Sequence, residues 1–550
     1  MREKKKNKIK KEGFMQGVLA LMIAQVLIKL LGLVYKWYLT NRDGFGDKGN
    51  AIYSAGFGIY ALLLTLSATG VPNAVAKLVS EHNAKGDYRG AHRIFKISLA
   101  TFAVIGLIGT LIMFFGAHYI ANNMLAIPEA ELTLVALSPA IFFVAIISVF
   151  RGFFNGRENM KATANSQTLE QLCKTIFTVL VVEIVAIASN VNTNLMAAGA
   201  NLATTLATVG SFLYLYLYYR VRRKEIGNEI VSSPSFPEKS ILSTVKSILL
   251  VSIPMSLSSI LTSLNRNIDS MTVKRGLQSF LSEGEALKQY GILSGKVDTL
   301  VSLPLSFNIA FATALVPAVA GAKTKGDMTT ANKRVSFSLL VSMLIGLPCM
   351  VGMMVFAQPI LDLLFPNANE GALILQISSL QIIFTILEQT VNGALQGLGK
   401  IYLPAIALTI GVIVKTILNI VLVPIPGIGA VGAAIATAVC HIIAFAIGYI
   451  VLRKNMKLDL TFSKFIVKPF IASLIMGVCS YGIFLLLDHI HPGRIATIVA
   501  IIFAMIIYAL VVVILKIFTK EEILMIPFGT KIYKILVKFG LYKETESIVK

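Results

Sequence analysis

Charge is scarce in this chain, and negative charge scarcest. Only 14% of its 550 residues are charged, 28 acidic against 50 Lys and Arg. Soluble domains carry about 25% charged residues. With 56% hydrophobic residues and a mean hydropathy of +0.76, the soluble class is excluded. Cysteine is nearly absent as well. Cys173, Cys349, Cys440 and Cys479 fall in apolar stretches without metal-ligand spacing, which excludes a disulfide framework and leaves them as packing residues. The chain has no His-Glu-x-x-His, no Walker lysine loop, and no loop long enough for an active-site domain. Gly427, Gly429 and Gly432 match G-x-G-x-x-G by letter, but between two apolar helices and not after a strand. Close helix packing explains them better. No catalytic residue, metal or cofactor is therefore expected, and no enzyme.

What the chain has in quantity is apolar runs. Met15–Leu39 is long enough to cross a bilayer as one helix. Thirteen further runs follow near 52–79, 94–120, 131–150, 166–189, 194–219, 241–264, 293–320, 335–361, 371–397, 401–424, 428–452, 463–487 and 494–518. The fold class expected is all-α and polytopic, with fourteen transmembrane helices. The basic start REKKKNKIKK and the length of the first run read as an uncleaved first helix.

Loop charge tests that count. Alternate connections carry Lys85, Arg89 and Arg93; Arg151, Arg157 and Lys161; Arg220 to Lys224; Lys323 to Arg334; Lys400; and Arg453 to Lys457. The connections near 121–130, 189–193, 362–370 and 425–427 carry no Lys or Arg. This is the positive-inside pattern, with both termini cytoplasmic. Segment 265–290, with Arg266, Lys274, Arg275 and Lys288, is the exception. The net charge of +22 then needs no nucleic-acid partner.

The chain also repeats itself. Lys85-Gly86-Asp87 returns 240 residues later as Lys325-Gly326-Asp327, and Ser98-Leu99 as Ser338-Leu339. Gly152, Gly156 and Lys174-Thr175-Ile176 return at an offset of 241 as Gly393, Gly397 and Lys415-Thr416-Ile417. Six spans separate each pair, so the copies run parallel, as in transporters built from two facing halves. The expected plan is an N-terminal lobe 1–220, a polar linker 221–240 and a C-terminal lobe 241–452. Two extra helices over 453–518 and an amphipathic tail over 519–550 complete it.

Charges inside the spans are the functional candidates, because an ionisable group at membrane depth is expensive unless it faces a wet cavity or a partner. Lys29 lies deep in the first span, Lys296 and Asp298 open the eighth, and Arg266 and Asp269 lie at the outer end of the seventh. Cations from opposite lobes suit an anionic headgroup such as a diphosphate. Glu170 and Lys174 stand i,i+4 and can pair on one face. Glu183 and Glu388 are candidates for coupling an ion, and His441 for hydrogen-bonded packing. Pro72 and Pro317 occupy matching positions where kinks would let helices gate.

Three stretches carry a family likeness: Gly70-VPNAVAKLVSEHNAKGDYRGAHRIFK, Arg151-GFFNGRENMKATANSQTLEQLCKT and Tyr290-GILSGKVDTLVSLP. They resemble the MurJ/SpoVB-type flippases of the multidrug/oligosaccharidyl-lipid/polysaccharide superfamily. The resemblance implies fourteen helices, two lobes about a central cavity, and alternating access. It implies a bacterial cytoplasmic-membrane monomer that carries undecaprenyl-diphosphate-linked sugars outward, lipid II first among them. It also implies that the family's cavity arginines of the first and eighth helices fall on Lys29 and Lys296, which keep the charge but lose the bidentate fork. A second first-helix arginine falls on Tyr35, with Lys36 beside it. Teichoic-acid, capsular or sporulation lipids, or cation-coupled drug export on the same fold, are the alternatives.

Overall fold

The computed structural model describes residues 14–65, 70–157, 159–234, 236–237, 240–324, 326–400, 402–490, 493–525 and 529–538. Lys325 of the repeat, the basic N-terminus, part of the linker and much of the C-terminal tail lie outside the described residues. No strand occurs among them. The first nine α-helices are α1 (Phe14–Asn41), α2 (Gly46–Thr65), α3 (Val71–Ala84), α4 (Tyr88–Tyr119), α5 (Glu131–Gly156), α6 (Met160–Ala188), α7 (Thr193–Val231), α8 (Ile241–Leu277) and α9 (Glu283–Gly291). A π-helical turn, Ile292–Val297, leads into α10 (Asp298–Thr324). Then come α11 (Met328–Val355), α12 (Ala357–Leu364), α13 (Ala372–Gly397), α14 (Tyr402–Leu422) and α15 (Ala430–Asn455). The chain ends with α16 (Lys468–Ile490), α17 (Arg494–Ile514), α18 (Lys520–Met525) and α19 (Gly529–Lys538).

Among the described residues ten helices are long and apolar enough to cross a membrane. Large apolar side chains stand open along them: Ile187 is 79% exposed, Phe115 78% and Val478 73%. Water would not tolerate that much exposed apolar surface, whereas acyl chains solvate it. The expected polytopic all-α class is borne out. The other four expected spans fall on α1, α2–α3, α8 and α10, which carry Lys29, Lys36, Asp47, Arg266, Asp269 and Asp298, with Lys296 in the turn ahead of α10.

Contacts group the chain into two units. One holds residues 1–300 and 412–433, the other 301–411 and 434–550. In the first, an aromatic core gathers Phe95, Phe150 and Phe153 around Tyr219. In the second, α11, α13 and α16 share a core of Leu340, Leu344, Val391 and Ala472, and the Tyr508 hydroxyl of α17 donates to the Leu344 carbonyl at 2.8 Å.

The repeat is visible in local geometry within each unit. Asp87 caps α4 by accepting from the Gly90 amide at 2.7 Å, and Asp327 caps α11 by accepting from the Thr330 amide at 3.0 Å. The preceding glycines, Gly86 and Gly326, adopt φ of 74° and 73°, a left-handed turn that glycine reaches without steric penalty. Gly152 and Gly156 let α5 press on the α3 backbone, where an added Cβ would meet the Pro72 carbonyl oxygen at 2.7 Å and the Ala76 carbonyl oxygen at 2.6 Å. Gly393 and Gly397 do the same for α13 against Ala312 and Val316 of α10. Gly397→Ala is expected to destabilise by about 1–3 kcal/mol, because its Cβ meets backbone that cannot swing aside. The check is a lower thermal midpoint of the detergent-purified protein.

The sixth expected span runs on as helix beyond its apolar part. The polar stretch expected as linker continues α7 to Val231, because Arg220 to Lys224 are good helix formers and nothing breaks the chain before Ser232-Ser233-Pro234. The expected second span holds α2 and α3, with residues 66–69 between them outside the described set, and buried Pro72 lies in the first turn of α3. Pro317 falls within α10, and its side chain lies outside the described set.

Candidate functional site

Charged side chains of α1, α2, α6, α8, α14 and the π-turn gather within the first unit. The π-turn is aimed by glycine. Gly295 packs on α2, where a Cβ would lie 2.7 Å from the Asn50 Cβ, and Gly291 meets the Asp47 carbonyl group. That approach delivers Lys296 to Asp47, Nζ to Oδ2 2.9 Å, with the lysine side chain 0% and the aspartate 3% exposed. Gly291→Ala, which drives a methyl into the Asp47 backbone, is expected to separate the turn from α2. The checks are loss of folded yield and the failure of Gly284→Ala, which has open space at its Cβ, to reproduce it.

Lys296, a headgroup candidate from the sequence, thus has a carboxylate of its own. Lys415 is similar. Its buried Nζ donates to Asp269 Oδ2 at 2.6 Å and to the Asn265 carbonyl at 2.9 Å, while Asn419 Nδ2 donates to Asp269 Oδ1 at 2.8 Å.

Lys29 and Arg266 are different. Lys29 is half-buried and Arg266 exposed, and each feels the other's charge. Neither has an ion-pair partner within hydrogen-bonding distance among the described residues. Asp298 is exposed and lies within electrostatic reach of Arg266, Asp269, Lys415 and Lys36. Three of the four sequence-chosen residues, Lys29, Arg266 and Asp298, therefore share one electrostatic neighbourhood, and Lys296 braces its wall.

Two further cations, named in the sequence but not chosen as site residues, stand close by. Lys36 Nζ donates to Asn50 Oδ1 at 3.2 Å and Ser54 Oγ at 3.4 Å, and lies 4.5 Å from the Tyr53 ring centroid. Lys174 does not pair with Glu170, as its i,i+4 spacing suggested. Glu170 accepts instead from Arg151 at 2.7 Å, and that arginine also donates to Ser166 and Ser211. A short carboxylate–guanidinium bond with further hydroxyl acceptors outcompetes a flexible lysine on the same face. Lys174 Nζ lies among rings, 4.2 Å from the Phe57 centroid, 5.0 Å from Tyr35 and 5.9 Å from Tyr53. The signal available in the sequence was Tyr35 beside Lys36 on α1.

Of the coupling candidates, Glu183 accepts from Arg42 at 2.9 Å and from the Tyr38 hydroxyl. Glu388, in the second unit, lies 2.6 Å from His441 Nδ1 and accepts from Asn392 Nδ2 at 3.3 Å. Among the described residues no cluster of His, Cys, Asp and Glu could hold a metal ion. All four cysteines are free.

The profile of the family described as polysaccharide biosynthesis protein matches residues 14–323. The chain belongs to that family. Residues 254–421 also match the MatE family. Among curated relatives of this family member, the uncharacterized membrane protein YabM of Bacillus subtilis (strain 168) is 30% identical over 553 aligned residues, 96% of this chain and 97% of that one. Stage V sporulation protein B of the same organism is 26% identical, over 94% and 98% of the two chains. Its lipid II flippase MurJ is 27% identical, over 80% and 82%. Among solved structures, the lipid II flippase MurJ in an inward closed conformation aligns with a TM-score of 0.66 at 16% identity, over 90% of this chain and 99% of that one. An inward-facing MATE-family multidrug transporter aligns at 0.64 and 17%, over 80% and 98%. The resemblance read from the three sequence stretches, and the polytopic all-α class it implied, are borne out.

Proposed function

We propose that this family member is a flippase for an undecaprenyl-diphosphate-linked cell-envelope oligosaccharide, with lipid II the first substrate to test. One observation carries the reading: Lys29 and Arg266 stand on helices of a polytopic fold without carboxylate partners among the described residues. Unpaired cations at membrane depth are costly, and an anionic substrate relieves that cost. Curated relatives include a lipid II flippase. In the proposed cycle Lys29 and Arg266 neutralise the diphosphate from the inner leaflet. Two six-helix lobes then alternate access, in a cytoplasmic membrane with both termini inside. No covalent step is involved.

The test is depletion of the protein, followed by identification of the lipid-linked precursor that accumulates on the inner leaflet. Lipid II, teichoic-acid and sporulation precursors separate by mass. Lys29→Ala combined with Arg266→Ala is expected to reproduce depletion with the protein still inserted. Unchanged flux would reject the site.

The MatE match favours one other reading, export of a cation on the same fold. For either substrate we assign ion coupling to Glu388 with His441. Glu388→Gln, nearly isosteric, is expected to leave substrate binding intact and to abolish the response of transport to an imposed proton gradient, measured in proteoliposomes.

A further inference from the structure

Lys36 and Lys174 approach one tyrosine ring together, at 4.5 and 5.9 Å from the Tyr53 centroid, and their charges repel. Both are buried, and among the described residues no carboxylate forms an ion pair with either. Lys36 also feels the charge of Asp298, but ring faces, two neutral acceptors and one carboxylate without an ion-pair contact compensate two ammonium groups only partly.

The repeat shows what is missing. Lys174 and Lys415 occupy the same repeat position, 241 residues apart. Lys415 meets α8 at the Asn265 carbonyl and at Asp269, four residues on. In the other copy Thr175 donates to the Leu31 carbonyl of α1 at 3.4 Å, and Lys174 meets Tyr35, again four residues on. Where one copy supplies a carboxylate, the other supplies an aromatic ring, and the second lysine, Lys36, follows it.

We propose that Lys36 and Lys174 form a second oxyanion station for the substrate's diphosphate. The inference rests on the flippase reading above. Lys36 lies seven residues beyond Lys29, about 10 Å along α1 at 1.5 Å per residue, so the headgroup passes from Lys29 and Arg266 to Lys36 and Lys174 as it moves outward. The Tyr35 and Phe57 rings cover the station and swing aside as the anion enters. Asn50 and Ser54, now acceptors for Lys36, release it to the phosphate oxygens.

The experiment uses the full-length protein, with farnesyl diphosphate as binding probe, farnesol as uncharged control, and a reconstituted translocation assay with the accumulated precursor. Lys36→Gln and Lys174→Gln are each expected to weaken farnesyl diphosphate binding about tenfold, the loss of one charge-assisted contact of about 1.4 kcal/mol. Translocation should slow at least as much, and farnesol binding should not change. Lys174→Arg, which keeps the charge, should stay within about threefold of wild type. Lys174→Met keeps an apolar stem among the rings and should fold normally while behaving as Lys174→Gln. If Lys174→Gln and Lys174→Met bind and translocate like wild type, or lose thermal stability without losing affinity, the lysine only packs and the station is overturned. A wild-type protein that binds no farnesyl diphosphate overturns the flippase reading, and the station with it.

Discussion

Lys296→Ala is expected to cost about 3–5 kcal/mol of stability, the penalty for leaving a buried carboxylate without its cation. Lys296 and Asp47 are 249 residues apart in sequence and almost wholly shielded, with a 2.9 Å contact. The alanine would leave the shielded Asp47 charge on α2 without the ammonium that faces it from the π-turn. The readout is the folded fraction surviving a heating series, followed by size-exclusion of the detergent-purified protein. Asp47→Leu combined with Lys296→Met is expected to recover most of the loss, because well-packed apolar pairs often match or exceed buried ion pairs. A double variant as unstable as the single would show that the pair is not what holds the turn to α2. A stable double variant that no longer translocates would return Lys296 to the headgroup site, where the sequence first placed it.

Lys29→Glu should reduce translocation of a diphosphate-linked lipid by about 100-fold or more. Reversal removes one charge-assisted contact of about 1.5–3 kcal/mol and adds a repulsion, and each 1.4 kcal/mol is a factor of ten. Arg266 would then have a second carboxylate in electrostatic reach besides Asp298, since it already feels the charge at position 29. The site would change from cation-rich to self-paired. The same substitution separates the two readings of the fold. An exporter of cations gains from an acidic cavity, so efflux of ethidium would rise in Lys29→Glu, whereas a flippase of anionic lipids gains nothing. Parallel assays of precursor translocation and ethidium efflux decide between them.

Much of this site was legible before any coordinates. Lys29 stands out in the sequence because a lone charge beside or within an apolar run demands an explanation, and Arg266 and Asp298 stand out likewise. The glycines at 152, 156, 393 and 397 marked a repeat, and they prove to be the points where α5 and α13 touch neighbouring backbone. Asp87 and Asp327, two more residues of the repeat, prove to cap the helices that start at Tyr88 and Met328. Less legible were the partners. Spacing put Glu170 and Lys174 on one helix face, but Arg151, from the preceding helix, takes the glutamate. The aromatic setting of Lys174 combines residues from α1, α2 and α6, and its distances follow from how those three helices pack.

The sequence alone determined the membrane class, the internal repeat and the presence of cations inside apolar runs. Each is a property of composition or of short-range periodicity, which a helix expresses wherever it packs. Only the tertiary structure decided which charges are already satisfied. Lys296 found Asp47 and Lys415 found Asp269, while Lys36 and Lys174 found rings. An ion pair across helices depends on packing angle and on close approach at a few glycines, and residues 146 or 249 positions apart carry no local trace of it.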